Sequence, residues 1–224
     1  MAFWKQKGAI MNIPFTEEQF LSNFASYNTD VFPAQILLYL LAGVAIYLVF
    51  SRKEYSDRII SGILAFLWLW MGVVYYIFYF SSINKPAYLF GFLFIIQSAL
   101  FLKYGVIDKK LTFGFSKDIY GLAGLAMVLY GLLIYPVFGY FAGHIYPYQP
   151  VFGVPCPTTI FTFGILLWTS SKVPKSIFAI PLLWSFVGFT AAFAFGILED
   201  ILLLVSGLVA VILLWHRDRY KSIG

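Results

Sequence analysis

The run Ala34–Lys53, AQILLYLLAGVAIYLVFSRK, is an unbroken apolar stretch closed by two adjacent cations. A helix needs roughly 20 apolar residues to cross the hydrocarbon of a bilayer. The pattern recurs: apolar runs also cover about Ile59 to Phe80, Ala87 to Tyr104, Ile119 to Gly139, a stretch ending before Ser171, Ser176 to Phe195 and Ile197 to Trp215. Basic residues fall in every other gap between these seven runs. Arg52, Lys53 and Arg58 follow the first run; Lys103, Lys109, Lys110 and Lys117 follow the third. Lys172 and Lys175 follow the fifth, and Arg217, Arg219 and Lys221 the last. The alternate side holds Lys5, Lys7 and Lys85.

Cytoplasmic loops of membrane proteins carry the excess of Lys and Arg. The alternation therefore predicts an all-α polytopic membrane protein of seven transmembrane helices, N-terminus outside and C-terminus inside. A six-span reading, with the last two runs fused into a buried hairpin, puts the basic tail outside and conflicts with that rule. The domains read as an extracytoplasmic segment 1–31, a seven-helix transmembrane domain 32–215 and a cytoplasmic basic tail 216–224.

Composition agrees. The 224 residues are 61% hydrophobic and 11% charged, about half the charged fraction of a soluble domain. The net charge of +5 sits beside apolar spans. Its natural partner is the lipid bilayer, through anionic headgroups, and not nucleic acid. Cys156 is the sole cysteine, which excludes an intramolecular disulfide. MAFWKQKGAI lacks a signal-peptide core, so the first span serves as the insertion signal.

Before the first span, Phe15-Thr16-Glu17-Glu18-Gln19-Phe20 reads as a helix start. Thr16 can cap, Gln19 can reach back, and Phe15 can pack against Phe20. Phe20, Leu21, Phe24 and Tyr27 then share one face, as in a short amphipathic helix lying in the outer interface.

The segment from Gly143 to Thr159 holds four prolines and two glycines, which forbid a regular helix across it. A helix can begin at Pro157, because proline suits the first helical position. From there to Ser171 it covers about 22 Å, short of a hydrocarbon layer about 30 Å thick. Its start is therefore expected below the outer surface. Irregular backbone at such depth is tolerated only inside protein or along a wet cavity. Broken helices of this kind form substrate sites in transporters; the alternative is a tilted helix or a locally thinned bilayer, with the loop packed over the bundle.

The chemistry gathered there by topology is specific. The helix start offers free N–H groups, with hydroxyls from Thr158 and Thr159. His144, Cys156, Glu199 and Asp200 fall on the same side and are candidate ligands for zinc or a soft metal, or a Cys-His-acid nucleophile system. Glu199 and Asp200 interrupt a long apolar run. They mark a turn between the last two spans or, if tucked below the surface, form a proton or cation site. Gln97, midway in the third span, is expected to hydrogen-bond across helices. Gly139-x-x-x-Gly143 and Gly188-x-x-x-Ala192 allow close helix approach, within one bundle or in a homo-oligomer. The two histidines, His144 and His216, lie on opposite sides, which excludes bis-histidine haem; no span carries a mid-span lysine for retinal.

Several of these segments resemble a known family. They are Pro14 to Leu21, Tyr27-Asn28, Pro33-Ala34-Gln35, Ser82 to Ala87 with Phe90-Gly91, Gly143-His144 with Tyr146-Pro147, Phe152-Gly153, Pro155 to Gly164, Pro181 to Ser185 and Glu199-Asp200. The chain is similar, from Met11 onward, to the bacterial multi-pass membrane proteins grouped as domain of unknown function 6064. The resemblance implies the bacterial inner (cytoplasmic) membrane. It implies no activity and no cofactor. It also makes Met11 an alternative start.

The expected function is small-solute or ion binding or transport through an outward-facing site at the start of helix five. Its residues are His144 and Tyr146 at the rim, Cys156, Pro157, Thr158 and Thr159 at the helix start, and Glu199 and Asp200 as charged neighbours. The alternatives are a metal- or thiol-dependent membrane enzyme and a non-catalytic accessory subunit.

Overall fold

A computed structural model describes residues 14–220. Lys5, Lys7, Met11 as a start, and Lys221 lie outside the described residues. The first helix, α1 (Glu17–Val31), begins as expected: Thr16 Oγ1 accepts from Gln19 N, and Gln19 Oε1 accepts from Thr16 N. Both ends of this capping box satisfy backbone donors that a helix start leaves open. Phe15 stacks on Phe20 at 5.8 Å. Phe20, Phe24 and Tyr27 are buried along one face.

The remaining helices are α2 (Ala34–Ser51), α3 (Ser56–Ser82), α4 (Ala87–Ile107), α5 (Ile119–Phe141), α6 (Pro155–Leu167), α7 (Ser176–Phe195) and α8 (Ile201–Tyr220). Among the described residues, six helical stretches, all but α1 and α6, are long and apolar enough to cross a membrane. The connecting segments gather at two ends. At one end Arg52 Nη2 donates to Phe115 O (2.9 Å), Phe113 N donates to Asp57 Oδ1 (2.7 Å), and Phe113 bridges to Thr169. Arg217 donates there to the carbonyls of Thr169 and Ser171. This is the basic end. At the other end α1 lies across the bundle, with Phe20 against Phe195 and Asp30 accepting from Tyr79 Oη.

Helix α6 is the axis of the bundle. Every residue from Pro155 to Leu167 is buried, while the long spans bury only 29% to 56% of their most apolar stretches. It packs chiefly on α5 and α8. The α5 contact is backbone to backbone: a Cβ on Gly164 would stand 2.7 Å from Gly124 O, and one on Gly124 would stand 2.8 Å from Gly164 O.

The helix starts at Pro155, two residues before the expected Pro157, and ends at Leu167 rather than Ser171. Pro155 takes the early position because a missing N–H costs nothing in the first turn. At the other end, Trp168 N and Thr169 N close tight turns on Ile165 O and Leu166 O. Thirteen residues rise about 20 Å, even shorter than expected.

Three departures concern the other helices. Met71–Tyr79, Leu102–Ile107 and Tyr130–Ile134 are π-helical. The last of these ends two residues before Pro136, which cannot donate to the turn before it. Helix α8 runs through Tyr220, so residues 216–220 continue the helix and do not begin a loose tail. Its Arg217 is buried and satisfies carbonyls beyond the end of α6. Gly139 does meet a neighbour closely, whereas Gly143 has open space around it and serves the turn after α5.

Candidate functional site

The loop after α5 folds back under α1. Asn28 Nδ2 donates to Pro147 O (2.6 Å) and Gln149 O (2.8 Å), while Gln35 Nε2 donates to Asn28 Oδ1 (2.7 Å). Tyr27 Oη donates to Gly153 O (3.2 Å) and accepts from Trp70 Nε1 (2.7 Å). These bonds seat the proline-rich segment between α1 and the start of α6. Phe152 and Val154 are fully buried there.

Two adjoining regions result. The first is a polar cluster. Gly196 ends α7 in a left-handed conformation, and a short 3-10 turn, Leu198–Asp200, leads into α8. Glu199 and Asp200 therefore do mark a turn, and they are also buried, at 0% and 2% exposure. His144 Nδ1 lies 3.1 Å from Glu199 Oε1 with its side chain 11% exposed. The hydrogen bond to Glu199 holds this imidazole above its ordinary value of 6.5, against the opposing effect of partial burial. Tyr130 Oη donates to Glu199 O (3.0 Å), and Tyr135 Oη donates to Asp200 Oδ1 (2.5 Å). Glu199 Oε2 is buried and has no partner among the described residues. Gly139 faces the same carboxylate, where a Cβ would stand 2.9 Å from Oε1. One imidazolium can neutralise one carboxylate; the second has only hydroxyl and thiol neighbours, since the Cys156 thiol lies against Asp200 and Tyr135.

The second region is an aromatic cavity of about 280 Å³ beneath α1. Phe15, Phe20 and Phe24 close it from above; Tyr75, Tyr76, Phe90 and Trp184 form its sides; Pro155 and Cys156 form the floor. Tyr76 and Trp184 meet edge to face at 5.5 Å. Tyr76 Oη and Trp184 Nε1 are both buried, and among the described residues neither has a hydrogen-bond partner. Cys156 belongs to both regions, touching Asp200 on one side and lining the cavity on the other.

The residues expected from sequence divide accordingly. His144, Cys156, Glu199 and Asp200 come together at the α1 end. Tyr146 instead ties the loop to α1, its hydroxyl donating to Asn28 O (3.1 Å). Thr158 Oγ1 is committed to Gly153 N (2.9 Å), and Pro157 presents its carbonyl to Gly131 on α5. Thr159 Oγ1 is buried and has no partner among the described residues, but Thr159 does not line the cavity. Among the described residues, no group of three His, Cys, Asp or Glu side chains is placed to hold a metal ion. Gln97 Nε2 donates across helices to Ile177 O (3.0 Å), as expected.

Sequence reasoning missed Tyr76, Trp184, Tyr130 and Tyr135. The dense aromatic run from Tyr75 to Phe80 is the one sequence signal for the cavity wall, and the π-helical winding of Met71–Tyr79 accompanies the paired Tyr75 and Tyr76 that line it.

No curated protein and no solved structure gives a significant match to the chain. Residues 17–224 match the model described as a family of unknown function, DUF6064, and with nearly the whole chain covered the protein belongs to that family.

Proposed function

We propose that this is a seven-span membrane protein, α6 counted among the spans, that binds a small, mainly apolar solute bearing a hydrogen-bond acceptor. The site is the aromatic cavity beneath α1. The basic loops orient that end outward under the positive-inside rule, in the bacterial inner membrane. Binding there is the first step of transport, with the His144–Glu199–Asp200 cluster next to the solute as the ion-sensitive element.

One observation carries the reading: among the described residues, two buried donors, Tyr76 Oη and Trp184 Nε1, have no partner, and their side chains line one cavity. An unmatched buried polar group costs about 1–3 kcal/mol. A ligand acceptor recovers that cost, while the aromatic walls supply burial. The volume suits a single-ring solute, because an apolar cavity of about 150 Å³ already binds benzene. A second reading, an accessory subunit with a locked joint, is favoured by the commitment of Thr158 and Tyr146 to the loop.

Cys156 provides the test, since it is the only thiol. Purified protein and whole cells are treated with a membrane-impermeant maleimide, with and without acetophenone or benzamide. Protection of Cys156 and a raised melting temperature support the site. Tyr76→Phe should then weaken solute binding about tenfold, the effect of losing one hydrogen bond. Solute flux in sealed vesicles tests the transport step. A panel of such solutes that neither protects the thiol nor shifts melting favours the locked joint.

A further inference from the structure

A second cavity, about 490 Å³, opens at the basic end between α7 and α8. Its rim and its depth differ in chemistry. Lys172 and Lys175 stand at the rim, both exposed, and neither forms an ion pair among the described residues. Arg219 joins them, its guanidinium stacked over the Trp215 ring at 4.6 Å. The rim carboxylate, Asp218, pairs with Arg217 at 2.8 Å and accepts from Val173 N. The rim therefore keeps a surplus of positive charge. Below it the walls are apolar: Phe178 and Leu182 on α7, Leu214 on α8. Leu182 lies two helical turns from Lys175, about 10 Å along the axis.

A cationic mouth over an apolar groove, at a helix pair's end, has the polarity of an anionic amphiphile. Basic pockets between spans on the cytoplasmic side take acidic headgroups. We propose that this groove binds one anionic diacyl phospholipid, its phosphate held by Lys172 and Lys175 and one acyl chain lying along Phe178, Leu182 and Leu214. Trp215 places an indole at the headgroup level, where such rings are favoured. The site lies at the end opposite the aromatic cavity and does not depend on it.

The experiment uses the full chain in detergent micelles or nanodiscs, titrated with phosphatidylglycerol and read by native mass spectrometry and melting temperature. One phosphatidylglycerol should be retained, and phosphatidylcholine should not. Lys172→Ala with Lys175→Ala should weaken retention about 30-fold, each cation near a headgroup contributing a factor of about five. Leu182→Trp, which keeps every charge but fills the groove, should weaken it as well. Lys53→Ala with Lys117→Ala removes the same charge from the same end and should leave retention unchanged. Equal loss in that control would assign the effect to diffuse surface charge and overturn the proposal. Equal binding of phosphatidylcholine, or an equal melting shift from inorganic phosphate alone, would overturn it too.

Discussion

Glu199→Gln separates charge from shape at the polar cluster. The amide keeps the side chain's volume and can still bond His144 Nδ1, now 3.1 Å from Glu199 Oε1. What changes is the charge assistance. A hydrogen bond to a charged group contributes about 1.5–3 kcal/mol, a neutral one about 0.5–1.5. The sign with pH follows from His144, whose native value is raised above 6.5 by this bond. A raised imidazole stabilises the fold fully below its unfolded value, and the contribution disappears as pH rises through the native value. The variant should thus be less stable by about 1–2 kcal/mol at pH 5.5, a melting decrease of about 2–8 °C. At pH 9 the deficit should vanish or reverse, because a buried carboxylate with an orphan oxygen is itself costly. Thermal unfolding in micelles at the two pH values, beside His144→Ala, measures this. His144→Ala should destabilise at both, since it strips the carboxylate of its one side-chain partner among the described residues. An unchanged offset for Glu199→Gln across that range would refute the coupling.

Other outcomes follow from contacts already described. Gly164→Ala sets a methyl 2.7 Å from Gly124 O and 2.8 Å from Val128 Cγ2, so α5 and α6 must part; a loss of about 1–3 kcal/mol is expected by thermal melting. Thr158→Val leaves Gly153 N without its acceptor in a buried loop, which should cost about 1–3 kcal/mol and speed maleimide reaction at Cys156. Thr16→Ala removes the α1 cap; it should cost about 1 kcal/mol and increase proteolytic nicking near α1, read by limited proteolysis.

The parts of the fold legible in sequence are those decided locally or by solvent. The capping box at Thr16 and Gln19 needs only neighbours in the chain. The long spans need only apolar length, and the gathering of Arg52, Asp57, Thr169 and Arg217 at one end follows from the alternation of loops. The brevity of α6 was readable because Pro155 and Pro157 bracket its start. The contents of the site were less legible. Tyr135 and Asp200 are 65 residues apart, and nothing in either segment marks the other. The sidedness of the spans could bring His144 near Glu199, but it could not distinguish Thr158, whose hydroxyl the loop consumes, from Thr159, whose hydroxyl is left over. Arg217 looked like one more tail cation because a charge count does not reveal which carbonyls need a donor.

The turn at Glu199 and the burial of Glu199 were framed as alternatives by sequence, yet one causes the other to matter. A turn between two apolar helices normally presents its acids to water, where they cost nothing. Here the loop after α5 is held down by Asn28 and Tyr27, and it brings His144 onto the turn. That loop folds back because α6 is too short to reach the level of its neighbours, leaving room above Pro155 for chain and side chains to fill. Aromatic rings from α1 occupy most of that room and the cavity is the remainder. The short helix, the buried acids and the cavity are therefore one feature. Lengthening α6 by a turn before Pro155 should expel the loop, expose Glu199 and close the cavity together; a variant that lost one and kept the others would break that chain of cause.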